Sequence, residues 1–171
     1  MDNKGFTIIE MVVATAVFAL LVGASSGIFI SSLKAQRQSL ATQEVLNQTS
    51  YLMEYLSRAV RMAKKDLTGA CTGTVKLNYA FQDQCLKFRT YQGTCQQFCL
   101  DNKRLKDINN RYLTSASLTV SLFDVYITGA QQPPTDYLQP KVTVFLKVEG
   151  EAGAKIAIQT TISQRNPDVR K

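Results

Sequence analysis

The chain has 171 residues, 45% of them apolar and 19% charged, enough for one compact domain with its own core plus a separate element. Histidine and tryptophan are both absent, which removes imidazole bases, imidazole metal ligands and Ser/His triads, and with them most hydrolytic mechanisms. The formal net charge of +7 would suit nucleic acid or an anionic membrane, but the cations are spread in short groups, the pattern of a solubilising surface.

The chain begins with a short polar leader, residues 1–5 (MDNKG), followed by FTIIEMVVA, in which Glu10 stands against an apolar run. No charged residue falls between Met11 and Leu33. A run of that length crosses a bilayer core, which needs about 20 residues at 1.5 Å each, so residues 6–33 read as a membrane helix. A secretory signal would have a shorter apolar region and a small-x-small cleavage site after it. A carboxylate near hydrocarbon costs about 2.5–3.5 kcal/mol on insertion scales, so Glu10 calls for a cationic partner or a place at headgroup level. Ala19, Gly23, Gly27 and Ser31 recur at four-residue intervals. Such a stripe lets helices approach closely in lipid, and its glycines make the stretch the easiest to unwind.

From residue 34 the pattern becomes amphipathic, with Leu46, Met53, Leu56, Val60 and Ala63 at helical spacing. No proline or glycine interrupts this region before Gly69, so one helix is expected from Phe6 to about Lys65, its second part over residues 34–68, with Gly69 as the stop signal. Beyond it the period turns to two. Val142, Val144, Leu146 and Val148 define one strand, Ile156, Ile158 and Ile162 another, and Gly150 to Gly153 joins them. Leu118, Val120 and Leu122 begin a further strand whose parity shifts to Phe123, Val125 and Ile127, as a bulge would cause. Weaker strands are expected over residues 75–79, 86–91 and 95–100, and residues 129–140 read as a loop. The fold class is α+β: a long amino-terminal helix, part membrane and part amphipathic, packed on an antiparallel sheet formed within residues 69–171. The tail RNPDVRK is expected to be loose.

Cys71, Cys85, Cys95 and Cys99 fall in one third of the chain. No CxxC pair occurs, so two disulfides, free buried thiols and a zinc site stand in that order, and four cysteines allow three connectivities. Two disulfides would tie the first half of the sheet to the end of the helix.

The segment Lys4-Gly5-Phe6-Thr7-Ile8-Ile9-Glu10, followed by an apolar helix, resembles the processing site of type IV prepilins and secretion pseudopilins. The resemblance implies cleavage between Gly5 and Phe6 by a prepilin peptidase and methylation of the new amino terminus at Phe6. It implies that Glu10 neutralises the amine of a neighbouring subunit's first residue during assembly; the packing or hinge role expected of Gly23 and Gly27 comes from their spacing and not from the resemblance. The partners are then other pilin or pseudopilin subunits, the peptidase and an inner-membrane assembly platform, with no cofactor. The chain would cross the inner membrane once, its carboxyl-terminal domain outside the cytoplasm, and end in a surface or periplasmic filament. Lysine and arginine counts alone, with Lys4 before the span and Lys34 and Arg37 after it, favour the opposite orientation. Two departures matter: the helix lacks the proline many family members carry, and no cysteine follows Cys99, which points to a minor pilin or pseudopilin.

No Walker loop, GxSxG or telling pair of acids occurs, so an enzyme is not expected. The alternatives to a pilus subunit are a type II secretion pseudopilin and a DNA-binding competence pilin. In the last, Lys103, Arg104 and Lys106, with Arg111, Lys87 and Arg89 nearby, would supply phosphate contacts.

Overall fold

A computed structural model describes residues 5–132 and 134–165. Residues 1–4 of the leader and 166–171 of the tail lie outside the described residues. One helix, α1 (Ile8–Arg61), is followed by seven strands: β1 (Tyr79–Gln82), β2 (Cys85–Arg89), β3 (Cys95–Asp101), β4 (Arg104–Lys106), β5 (Thr119–Thr128), β6 (Lys141–Glu149) and β7 (Lys155–Ser163). The chain divides into two compact units, residues 1–40 and residues 41–171.

The second unit holds the core. There α1 buries Val45, Thr49, Leu52, Met53, Leu56 and Val60. They share one cluster with Tyr79, Leu86, Phe88 and Phe98 from the first strands and with Val120, Val142, Val144 and Leu146 from the later ones. The expected stripe is right except at its start: Leu46 is 43% exposed, and Val45 takes the buried place. Val45 faces Gly150, where an added Cβ would collide with the Val45 side chain and press on Leu118 at 3.3 Å. The turn after β6 must therefore carry glycine for the helix to come this close.

The helix stops at Arg61, four residues before the expected end. The cause is tertiary. The Tyr79 hydroxyl donates to the Val60 carbonyl at 2.8 Å, and the Arg165 N–H donates to the Arg61 carbonyl at 2.8 Å, so the last helical acceptors are satisfied by distant donors. The Lys64 N–H then donates to the Arg89 carbonyl at 2.9 Å, which lays the chain beside β2. Gly69 does not end the helix; with φ +73 it turns the following loop, and a Cβ there would meet Thr74 carbonyl carbon at 2.8 Å.

Two antiparallel sheets form where one was expected, β1-β2-β3-β4 and β5-β6-β7. The tight turns that build the first are Asp83-Gln84 and Asn102-Lys103, each with positive φ at both residues, the geometry of a two-residue hairpin. Neither pair contains glycine, so β4 and the true position of β1, four residues beyond the expected start, carry no strong sequence signal. The second sheet follows the sequence pattern closely: β6 alternates buried and uncovered residues, and the β5–β6 register shifts between Val120 and Leu122, which places the bulge at Ser121.

Candidate functional site

The amino-terminal segment is built around a helix cap. Thr7 precedes the first helical residue, and its carbonyl accepts the Met11 N–H at 3.2 Å. The Glu10 N–H donates to the Thr7 hydroxyl at 3.3 Å, while the Glu10 carboxylate accepts from the Thr7 N–H and the Thr7 hydroxyl, each at 3.4 Å. This reciprocal Thr-x-x-Glu arrangement is a capping box. Sequence reading assigned Glu10 only a charge; the spacing that signals the box stands in the chain as Thr7-Ile8-Ile9-Glu10. Glu10 also borders apolar surface formed by Ile9, Val13, Ala14, Val17 and Phe18, so its carboxylate is a single anion on an apolar face.

None of the most apolar 18-residue window of α1 is buried, and by length and composition the helix suffices to cross a membrane. Three of its hydroxyls bond back within the helix: Thr15 donates to the Met11 carbonyl at 3.0 Å, and Ser25 and Ser26 donate to the Leu21 and Val22 carbonyls at 2.8 Å. The helix runs without a break through Gly23 and Gly27. An added Cβ at Gly5, Gly23 or Gly27 would meet nothing within 4 Å. These three glycines are not required by the fold of the chain itself.

The cysteines pair as Cys71–Cys95, tying the loop after α1 to β3, and Cys85–Cys99, bridging facing residues of β2 and β3. All four sulfurs are therefore engaged, which sets aside the free-thiol and zinc alternatives. Beside the first bridge, the fully buried Asp66 accepts from the Cys71 N–H at 2.8 Å and the Thr72 N–H at 3.0 Å, and Thr72 and Thr68 hydroxyls add two more bonds. Burial alone would raise its pKa and is the largest single influence, but the four hydrogen bonds together hold the carboxyl below its ordinary value.

The basic cluster lies on the β3–β4 hairpin. Arg104 stacks over Tyr112, 4.1 Å from the ring centre, and donates to the Thr114 carbonyl. Lys106 binds Asp101 at 3.0 Å, and that hydrogen bond above all keeps the Asp101 carboxyl below its ordinary value. Arg111 pairs with buried Asp107 at 3.3 Å, and Arg89 donates to the Gly93 carbonyl at 3.1 Å. Lys103 is exposed at the turn. Most of these cations are thus committed to the hairpin's own acceptors.

Residues 1–26 match the family model described as the prokaryotic N-terminal methylation motif. The chain therefore carries the amino-terminal motif of type IV prepilins, on a long apolar helix followed by antiparallel sheets in a pilin-like α+β arrangement. That combination supports a type IV pilin-like or pseudopilin subunit, and the motif's family is structural and not enzymatic; the motif implies assembly with other such subunits and a prepilin peptidase. No curated protein and no solved structure gives a significant match to the chain.

Proposed function

We propose that this chain is a minor subunit of a type IV pilus or related filament, cleaved between Gly5 and Phe6, methylated at Phe6, and assembled through its amino-terminal helix. The observation that carries this is the methylation motif on a helix whose large apolar residues from Ile8 to Leu33 are exposed. Such a surface is stable only in lipid or among similar helices. In that setting the ammonium of Phe6 and the carboxylate of Glu10 each cost several kcal/mol alone and far less as a close intermolecular pair. Gly23 and Gly27, open on every side, give neighbouring helices room to approach, and the same glycines are where α1 would loosen in a filament. The domain after residue 40 lies outside the cytoplasm on this reading, where disulfides persist. The assembly platform in the inner membrane would be a further partner. The absence of a cysteine after Cys99 supports a minor subunit, and a secretion pseudopilin shares every amino-terminal feature.

Cleavage and filament incorporation, followed together, test this. Gly5→Leu should obstruct the peptidase and accumulate uncut precursor in the membrane, while an added Cβ at Gly5 meets nothing within 4 Å in the chain itself. Glu10→Gln should be cut normally yet enter filaments poorly, because glutamine can still serve the capping box and only the charge is lost. Normal assembly of Glu10→Gln would reduce Glu10 to a helix cap and sink the pairing account.

A further inference from the structure

The loops of the second unit gather at its two ends, and the ends differ in chemistry. At one end α1 stops. There Lys64 bridges to Arg89, Asp66 to Leu77 and Leu77 to Gln131, while Cys71 is joined to Cys95. The Gln164 N–H donates to the Pro140 carbonyl at 3.0 Å and the Arg165 N–H to the Arg61 carbonyl at 2.8 Å, so the loops over residues 62–78, 90–94 and 129–140 form one bonded surface. The opposite end surrounds α1 from Glu44 to Gln48: Ser117 bonds to Glu44, Ser115 to Gln48, and Gly150 lies against Val45. The Val120 N–H donates to the Lys103 carbonyl and the Leu100 N–H to the Gln84 carbonyl, which brings both hairpin turns of the first sheet to that end.

Among the described residues, the turns around Glu44 to Gln48 are polar or small and display no large apolar side chain. The end at Arg61 displays Leu67, Val75, Tyr91, Tyr137 and Leu138, each between 56% and 63% exposed. The backbone beneath them is fixed. Asp136 accepts from the Gln131 N–H at 3.1 Å and the Leu138 N–H at 2.9 Å, and Gln132 donates to the Asn78 side chain at 3.2 Å. The same end carries the exposed cations Arg61, Lys64, Lys76, Lys141 and Arg165, with Lys64 lying over the Tyr91 ring at 4.2 Å. Its acids are turned inward: Asp66 is buried on its own loop, and Asp136 holds the loop that contains it.

We propose that this end of the second unit docks on the surface of a bilayer rich in anionic lipid, other than the membrane that α1 enters. Interfacial binding combines apolar side chains placed at the boundary of headgroups and acyl chains with cations that attract anionic headgroups, and tyrosine favours that level. Leu67, Val75 and Leu138 supply the first, the five cations the second, and Tyr91 and Tyr137 the third. A nucleic acid would engage the cations but leave the leucines and valine in water. A second copy stacked in the same direction would offer only its polar end. The inference uses the second unit alone and does not rest on the filament reading.

The test reconstitutes the full chain in neutral phosphatidylcholine vesicles and measures capture of a second, fluorescent vesicle population. Vesicles with about one-third phosphatidylglycerol should be captured at least about tenfold better than pure phosphatidylcholine, and the difference should fade as salt rises from about 50 to about 500 mM. Leu67→Asp with Leu138→Asp should cut capture about tenfold and leave the urea midpoint of the second unit unchanged, since both side chains are exposed. Lys64→Gln with Lys76→Gln should weaken capture and flatten its salt dependence. Tyr126→Asp, at an exposed site on β5, and Lys103→Gln at the opposite end should change nothing. Equal capture of neutral vesicles, no capture of either kind, or an equal loss in Tyr126→Asp overturns the proposal. So does binding of short duplex DNA that survives Leu67→Asp with Leu138→Asp while vesicles go uncaptured, which would assign the cations to phosphate alone.

Discussion

Along α1, the same residue types live under two regimes. Val45, Leu52, Leu56 and Val60 are at most 2% exposed, each covered by strands of its own chain, whereas Val17, Phe18, Leu20 and Leu21 are all more than half exposed. Charged residues return at Lys34 after an uncharged run from Met11 to Leu33, and the apolar spacing changes with them. An apolar stripe with polar residues between is the signature of a helix that packs on one side, and an unbroken apolar run is that of a helix surrounded by an apolar medium. The second unit is thus stabilised by its own core, whereas the first leaves its apolar side chains exposed.

That division can be broken by stability measurements on the full chain in detergent. Leu56→Ala empties part of the packed core and should lower the unfolding free energy of the second unit by about 3–4 kcal/mol, while Val17→Ala should leave it within about 0.5 kcal/mol. A large effect of Val17→Ala in urea unfolding would show that the first unit does support the second. The double change Cys71→Ser with Cys95→Ser opens a loop of sequence separation 24 and should cost about 3 kcal/mol by the same measurement, with no effect on cleavage at Gly5.

Asp66→Ala leaves the buried N–H groups of Cys71 and Thr72 without acceptors and should cost about 2 kcal/mol at neutral pH. Its sign with pH follows from the lowered folded pKa. The contribution of Asp66 is complete above the ordinary value of 3.8 and is lost as the pH falls through the lower folded value, because the unfolded chain takes up the proton first. The gap between the natural chain and Asp66→Ala should therefore hold down to about pH 4 and narrow below it. A constant gap would assign the cost to packing alone. The smallest effect is expected from Thr7→Val, which removes half of the capping box and should loosen the first turn by about 1 kcal/mol, seen as faster amide exchange at Glu10 and Met11. The second unit should not register it.

How much could be read in advance also differs between the two regions. The motif around Gly5 and Glu10 and the strands β5 to β7 were legible because each rests on local pattern: a fixed run of residues, or strict alternation with one shift at the bulge. The helix end at Arg61 was not, since its cause is Tyr79 and Arg165 arriving from far along the chain. The division into two sheets was hidden for a different reason. Its turns rely on Asp83-Gln84 and Asn102-Lys103, residue types that adopt positive φ here without the glycine that usually announces it. The cysteine pairing was hidden as well, because spacing does not distinguish three connectivities. At Glu10 the pattern was present and under-read, because Thr-x-x-Glu is as much a cap as a charge.

The two disulfides interleave along the chain in the order 71, 85, 95, 99, each bridge having one end inside the loop of the other. A subunit pulled by its helix at one end and its last strand at the other can therefore not be drawn out through this region. Covalent linkage passes from Cys71 directly to Cys95, and the intervening chain, roughly 80 Å if fully extended, is withheld from stretching. Reduction would release that slack. The bridges thus act as a limit on extensibility, and a reduced subunit under tension would lengthen where an oxidised one would hold.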